Sequence, residues 1–93
     1  MKITKNNIIK INEKLGKQFA TDSGLGTNKS NLDFIDFYEG TGAYLIAREI
    51  LRGHPFIDGN KRTAFMIYMM MTSKRPYAEI LNDFYDIFES LSK

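Results

Sequence analysis

Residues 41–74 read TGAYLIAREILRGHPFIDGNKRTAFMIYMMMTSK, and this stretch contains two apolar-rich segments separated by a loop. The first segment carries apolar side chains at helical spacing, so it predicts a helix over about residues 41–52. The inward face of this helix is expected to comprise Tyr44, Ala47 and Leu51, widened by Leu45, Ile46 and Ile50. The stretch therefore predicts two consecutive helices joined by one short connection.

The connection between these helices is predicted from residues that interrupt helical backbone. Gly53 is the expected end of the first helix, and Pro55 keeps His54 from continuing it. The second helix is expected to begin at residue 58 or 59 and to run to 74, where Pro76 follows shortly.

The rest of the chain predicts further helices. Residues 4–17 and 77–91 show apolar residues at helical spacing, and a shorter helix is expected to start near residue 30 or 31 and to end before Gly40. Residues 21–30, TDSGLGTNKS, are rich in turn formers and predict a loop. The side chains expected to face the core are Ile8, Ile11, Leu15, Leu32, Ile35, Phe34 or Tyr38, Ile80, Phe84, Ile87 or Phe88, and Leu91. Since no stretch alternates like a strand, we expect an all-α fold: one domain over residues 1–93, a small antiparallel bundle of about five helices.

The composition narrows the class of protein. The chain has 93 residues, 43% of them hydrophobic and 26% charged, with a net charge of +2 and no cysteine. These values predict a soluble globular domain without disulfides or thiolate metal sites. The longest apolar run, residues 64–71, is too short to cross a bilayer, so we expect no membrane partner and a cytoplasmic location. The basic residues are scattered, which makes nucleic acid an unlikely partner.

Residues 54–62, HPFIDGNKR, depart from the pattern expected of a scaffold. Lys61 and Arg62 fall in the first turn of a predicted helix, where the dipole is already positive and the first N–H groups lack partners. Gly59 lets the backbone approach a ligand closely. The segment therefore predicts a site for an anion such as phosphate.

Two neighbouring side chains add chemistry to this site. His54, the only histidine, is suited to take a proton from a hydroxyl, and Asp58 offers a single carboxylate of the kind that holds Mg²⁺ beside phosphates. Simpler roles stay open at this point. His54 is also compatible with a cap or a surface position, Asp58 with an N-cap, and Gly59 and Asn60 with ordinary turn formation.

HPFIDGNKR resembles the signature of the Fic/Doc family, His-x-Phe-x-Asp/Glu-Gly/Ala-Asn-x-Arg. The defined positions are matched by His54, Phe56, Asp58, Gly59, Asn60 and Arg62, and Lys61 stands at the variable position before the arginine. A looser similarity covers most of the chain, including the first helix and the SGLG loop. The resemblance implies an all-α core in which the motif loop lies between two helices.

By position, the resemblance implies a role for each motif residue. His54 is expected to activate a hydroxyl of the target protein, and Asp58 is expected to hold Mg²⁺. Gly59, Asn60 and the amides that follow would form an anion hole, and Arg62 would bind phosphate. These roles agree with those drawn from the local chemistry.

Position 61 bears on which group is transferred. AMP-transferring members of the family have glycine there, whereas Doc-like toxins have lysine, as this chain does at Lys61. Phe65 stands where AMP-transferring enzymes carry a second arginine, which also agrees with Doc. The resemblance thus implies a kinase that moves the terminal phosphate of ATP to a hydroxyl of a protein such as elongation factor Tu, which stops translation. Lys61 is expected to contribute to phosphate binding.

The resemblance also bears on partners. The family's inhibitory motif, Ser/Thr-x-x-x-Glu-Gly/Asn, is incomplete here, because Ile35 stands where a hydroxyl should precede Glu39 and Gly40. An inhibitor would then be a separate protein, as an antitoxin is for Doc. Two alternatives remain: an AMP-transferring enzyme that acts on a protein hydroxyl, and a catalytically inactive interaction module.

Overall fold

The computed structural model describes residues 2–27 and 32–91, which form an all-α fold as predicted. Within these ranges the helices are α1 (Lys5–Phe19), α2 (Phe34–Phe37), α3 (Ala43–Gly53), α4 (Asn60–Ser73), α5 (Tyr77–Asp83) and α6 (Tyr85–Ser90). α4 is the central element, since it packs against α1, α3 and α5. None of the helices in the described part of the chain combines the length and apolarity that a membrane span requires.

Local sequence signals explain where the first helix begins and ends. The Thr4 hydroxyl accepts a hydrogen bond from the Asn7 amide, and the Asn7 side chain accepts one from the Thr4 amide, which completes a capping box. The helix then runs two residues further than predicted and stops where Ala20 adopts a left-handed conformation. The predicted cap of the next helix, Ser30 or Asn31, lies outside the described residues.

The core consists of apolar side chains contributed by all six helices and by the loop that joins α3 to α4. Its buried members are Ile3, Ile8, Ile11, Leu15, Leu32, Ile35, Ile46, Ala47, Ile50, Phe56, Ala64, Met66, Ile67, Met71, Ile80 and Phe88. The predicted inward faces of α1 and α2 are confirmed by this set.

The predicted inward face of α3 was partly wrong. Ile46, Ala47 and Ile50 are buried, whereas Tyr44 is 65% and Leu51 44% exposed. Both exposed residues belong to the spacing pattern that the sequence suggested, but α3 is rotated so that Ile46 and Ile50 face α4. The spacing of apolar residues predicted the helix correctly, but it placed the centre of the buried face about one residue away from the observed position.

The predicted helix over residues 77–91 is two short helices, which is why the described ranges contain six helices rather than the five expected. The break is at Phe84, whose backbone leaves the helical region at φ −119° and ψ 24°. The Phe65 ring meets the rings of Phe84 and Phe88 in edge-to-face contacts at 6.3 and 5.0 Å. The change of direction buries Phe88 and leaves Ile87 43% exposed.

Candidate functional site

The loop between α3 and α4 forms one wall of an open cleft of about 900 Å³. The opposite wall is the segment that follows α1. The residues that line the cleft are Asp22, Leu25, Gly26, Thr27, His54, Phe56, Ile57, Asp58 and Asn60. The structure therefore brings His54 and Asp58 into one cavity, together with a loop that sequence reasoning did not assign to the site.

A short antiparallel pairing joins the two walls. The Gly26 amide donates to the carbonyl of Pro55 at 2.9 Å, and the Ile57 amide donates to the carbonyl of Gly24 at 3.0 Å. Between these bonds Leu25 and Phe56 form the one β-bridge in the described residues. Phe56 is also buried in the core. The motif loop is therefore held both by the packing of Phe56 and by the pairing with the segment that follows α1.

Asn60 shapes the motif loop through its side chain. Its Oδ1 accepts a hydrogen bond from the Phe56 amide at 3.1 Å, and its Nδ2 donates to the Phe56 carbonyl at 3.0 Å. The side chain is buried, and both of its polar atoms are engaged in closing the loop. The Asn60 main-chain amide, at the start of α4, is available to an anion.

His54 occupies the turn at the end of α3. It has φ 46° and ψ 58°, a left-handed conformation that costs a non-glycine residue about 1–2 kcal/mol. Its amide donates to the Ile50 carbonyl at 3.1 Å, so the residue terminates the helix in the way expected of Gly53, which is instead the last helical residue. The imidazole is exposed at the cleft and bonds to no other described side chain. The same left-handed conformation ends α1 at Ala20 and α4 at Lys74, so His54 has the helix-ending geometry that recurs in this fold.

Asp58 and Gly59 prepare the start of α4. The Asp58 carboxylate accepts a hydrogen bond from the Gly59 amide at 2.7 Å. Gly59, with φ 73°, is the N-cap residue, and no side chain caps the first turn. The first amides of this 14-residue helix are thus left without a side-chain cap and can donate to an anion.

The carboxylate of Asp58 is compatible with Mg²⁺ only in one kind of arrangement. The described residues contain no group of three or more acidic, histidine or cysteine side chains placed to hold a metal. Asp22 and Asp58 are the two carboxylates among the residues that line the cleft. An ion held by Asp58 would take most of its other oxygens from phosphate and water, as Mg²⁺ beside nucleotides usually does. The residues present fit that arrangement.

Lys61 lies on a different side of the same helix start. It is exposed and lines a neighbouring apolar groove of about 410 Å³ between α3 and α4, with Leu51, Phe65 and Tyr68 among the other lining residues. Its ammonium has no ion-pair partner among the described residues. The structure therefore places Lys61 at the first turn of α4 but outside the lining of the His54 cleft.

Arg62 has a structural setting that the sequence did not reveal. Its side chain is 9% exposed, its Nε donates to the Phe88 carbonyl at 2.6 Å, and its Nη2 donates to the Glu89 carbonyl at 3.2 Å. The guanidinium also lies over the Phe19 ring at 4.3 Å. Arg62 thus connects the start of α4 to the end of α6 and to α1, with its fork turned away from the cleft lining.

Sequence reasoning also missed Asn12, a buried polar residue of α1 that contacts both walls of the cleft. The available signal was a polar residue beside the apolar stripe of Ile8, Ile11 and Leu15. That signal is weak, because its partners are separated from it by up to 51 positions along the chain. The cleft residues 22–27 gave only a turn signal.

Comparison with known families gives an independent result. The model of the Fic/DOC family matches residues 2–72, a range that contains the motif loop, α3, all but the last residue of α4, and the opposite wall of the cleft. No curated protein and no solved structure matched the chain significantly. The family is generally associated with transferases that modify proteins, which supports a function of that general kind here. The match covers most of the chain, and the protein belongs to the Fic/DOC family.

Proposed function

We propose that this protein is a Doc-like kinase that transfers the terminal phosphate of ATP to a hydroxyl of another protein, with elongation factor Tu as the first candidate target. The observation that carries the proposal is that His54 and Asp58 line the same open cleft at the uncapped start of α4. Base, carboxylate and anion site are the groups that phosphoryl transfer requires. Membership of the Fic/DOC family supports a protein-modifying reaction in general.

In this mechanism His54 accepts the proton of the target hydroxyl as its oxygen attacks the terminal phosphorus. The new oxygen–phosphorus bond forms while the bond between that phosphorus and the bridging oxygen breaks, and ADP leaves with the electron pair. The positive end of α4 stabilises the charge on the transferring phosphoryl oxygens. Mg²⁺, held by Asp58 and by phosphate oxygens, would neutralise part of the negative charge.

The phosphate-binding residues divide into two kinds. The amides of Asn60, Lys61 and Arg62 offer main-chain donors at the helix start that follows Gly59, whose own amide donates to Asp58, and Lys61 adds an exposed cation. The side chains of Asn60 and Arg62 maintain the loop and the helix that present those donors. The proposal thus assigns Arg62 to phosphate binding through its main-chain amide, while its guanidinium serves the fold.

Two features favour phosphate over AMP as the transferred group. Lys61 occupies the position that is lysine in Doc-like proteins, and Phe65 occupies the position of the second arginine of AMP-transferring enzymes. The Phe65 ring packs against Phe84 and Phe88, so an apolar surface stands where that cation would be. An AMP-transferring enzyme would use its second arginine as a cation away from the helix start. A nucleotide bound to this protein would lack that cation.

The direct test uses ATP labelled at either end of its triphosphate. Purified protein, elongation factor Tu and Mg²⁺ are incubated with γ-labelled or α-labelled ATP, and the label on the target protein is measured. We expect label from the γ-position alone, with mass spectrometry giving one added phosphate on a threonine or serine. Label from the α-position would show that the protein transfers AMP and is not a kinase. Label from neither position would reject both activities for this target.

A binding module without turnover is the second candidate, and one observation favours it. The polar side chains of Asn60 and Arg62 are both used within the protein. The two candidates differ in nucleotide binding. If the melting temperature does not rise when ATP and Mg²⁺ are added together, the module is the better description.

Lys61→Ala is expected to weaken ATP binding about three- to tenfold while leaving the melting temperature within about 1 °C of wild type. The residue is exposed, so its loss removes a charge near the phosphates at little cost to the fold. Lys74→Ala is the matched control, since Lys74 is the C-cap at the opposite end of the same helix. Isothermal titration calorimetry compares the two, and equal affinities would show that Lys61 does not reach the nucleotide.

The setting of this activity follows from the same resemblance. We propose a cytoplasmic toxin that inhibits translation and is neutralised by a separate antitoxin protein. Induced expression in a bacterial host provides the check, because growth arrest should require His54 and should be relieved by the neutralising partner.

A further inference from the structure

Asn12 is a buried polar residue at the centre of the contacts beneath the cleft. It lies in α1, is 1% exposed and belongs to none of the motif positions. Its Nδ2 donates to the Asp58 carbonyl at 2.9 Å and to the Thr63 hydroxyl at 3.1 Å. Its Oδ1 accepts from the Gly24 amide at 2.8 Å. One side chain thus bonds to both walls of the cleft and to α4.

These bonds fix the Asn12 side chain in one orientation. Both amide hydrogens and the carbonyl oxygen have partners, and a buried amide that lost them would leave unpaired polar groups. Gly59 lies beside the same amide, because a Cβ atom at that position would be in van der Waals contact with Nδ2 at 3.4 Å. The N-cap of α4 is therefore packed directly on the asparagine amide.

The position of these bonds determines what they can control. The Gly24 and Asp58 main chains lie on opposite walls, and the antiparallel pairing beyond them consists of two hydrogen bonds. Asn12 is the link between these walls on the core side. A shift of the Asn12 amide would move the Asp58 carbonyl, the N-cap residue Gly59 and the Gly24 main chain relative to one another.

We propose that Asn12 is a positioning residue that sets the width of the cleft and the placement of Asp58 and of the α4 start for phosphate transfer. This inference rests on the proposed kinase function. Misplacement of reacting groups by about 1 Å is enough to lower a rate about 100-fold. Asn12 acts through Asp58 and Gly24, without contact to the transferred group.

Three variants separate positioning from stability. Asn12→Asp keeps the acceptor for Gly24 but loses the bond to the Asp58 carbonyl. Thr63→Val is the matched control, because it removes one bond of the same buried cluster and leaves both wall contacts in place. Asn12→Leu, of similar volume, removes all three bonds and serves if the buried carboxylate prevents folding.

We expect Asn12→Asp to lower kcat for phosphate transfer about 10- to 100-fold at a temperature where the protein is fully folded, with KM for ATP within about threefold. Thr63→Val is expected to keep kcat within about threefold of wild type, even if it lowers the melting temperature as much as Asn12→Asp does. Equal losses of kcat in the two variants, or none in Asn12→Asp, would overturn the inference.

A second measurement applies whether or not wild type transfers phosphate. In ¹H–¹⁵N spectra, Asn12→Leu should shift the Gly24, Ile57 and Gly59 amides and speed hydrogen exchange at Gly24, whereas Thr63→Val should leave Gly24 protected. If the wild-type protein does not transfer phosphate, only the proposed kinase function is rejected. The spectra still report whether Asn12 positions the two walls of the cleft. Unchanged amides at Gly24 and Gly59 in Asn12→Leu would reject the role of Asn12.

Discussion

Replacing His54 with asparagine is expected to lower phosphate transfer by about 10²- to 10⁴-fold, because the cleft would lose its proton acceptor. His54 lines the cleft with Asp58, and no other histidine exists in the chain. Binding of ATP should change little, since the amides of α4 and Lys61 are untouched. Single-turnover assays with γ-labelled ATP measure the rate, and calorimetry measures the affinity.

Asparagine is the appropriate replacement because the backbone of His54 is left-handed. Asparagine adopts that conformation more readily than alanine, so His54→Asn separates loss of the base from added strain. His54→Gly is a second control, which should be equally inactive and at least as stable as wild type, since glycine has no strain there. A His54→Asn protein that transfers phosphate at the wild-type rate would remove His54 from the mechanism.

The second large effect is expected at Arg62, where alanine should lower the free energy of unfolding by about 2–4 kcal/mol. The change removes a buried guanidinium, its two bonds to the carbonyls of Phe88 and Glu89, and its contact with the Phe19 ring. A domain of this size has about 5–14 kcal/mol in total. The melting temperature should therefore fall by about 10–25 °C.

The structure changes what Arg62→Ala is expected to do. The position at a helix start suggested a folded variant with weaker phosphate binding, whereas the observed contacts predict loss of stability first. Arg62→Lys is the informative comparison, because it retains the charge but cannot span both carbonyls with a planar fork. Urea unfolding of the two variants measures the difference. A fully stable Arg62→Ala protein would show that the contacts at Phe88 and Glu89 contribute nothing.

Much of the architecture was predictable because its signals are local. Thr4 caps α1, the glycines at 40 and 42 separate α2 from α3, and Pro55 helps to end α3. The positive start of α4 was predictable in the same way, because Lys61 and Arg62 closely follow Gly59, which has no side chain that could cap the helix. The joint placement of His54 and Asp58 then followed from a loop only a few residues long.

The remaining features depend on contacts between distant parts of the chain. The acceptors of Arg62 are main-chain carbonyls 26 and 27 positions away, and carbonyls leave no trace in the sequence. The same holds for Asn12, which bonds to the main chain at Gly24 and Asp58. Side-chain identity indicated that Arg62 needs an electron-rich partner, and it could not distinguish a phosphate from the end of another helix.

The link from Arg62 to α6 also ties the motif to the last helices of the described chain. The family match ends at residue 72, before α5 and α6 begin. A fragment truncated there would retain every motif residue and lose both carbonyls that bind the buried guanidinium, as well as the Phe88 ring that fills the core beside it. Excising the matched region alone would therefore leave the Arg62 guanidinium without its two acceptors and the core without the Phe88 ring.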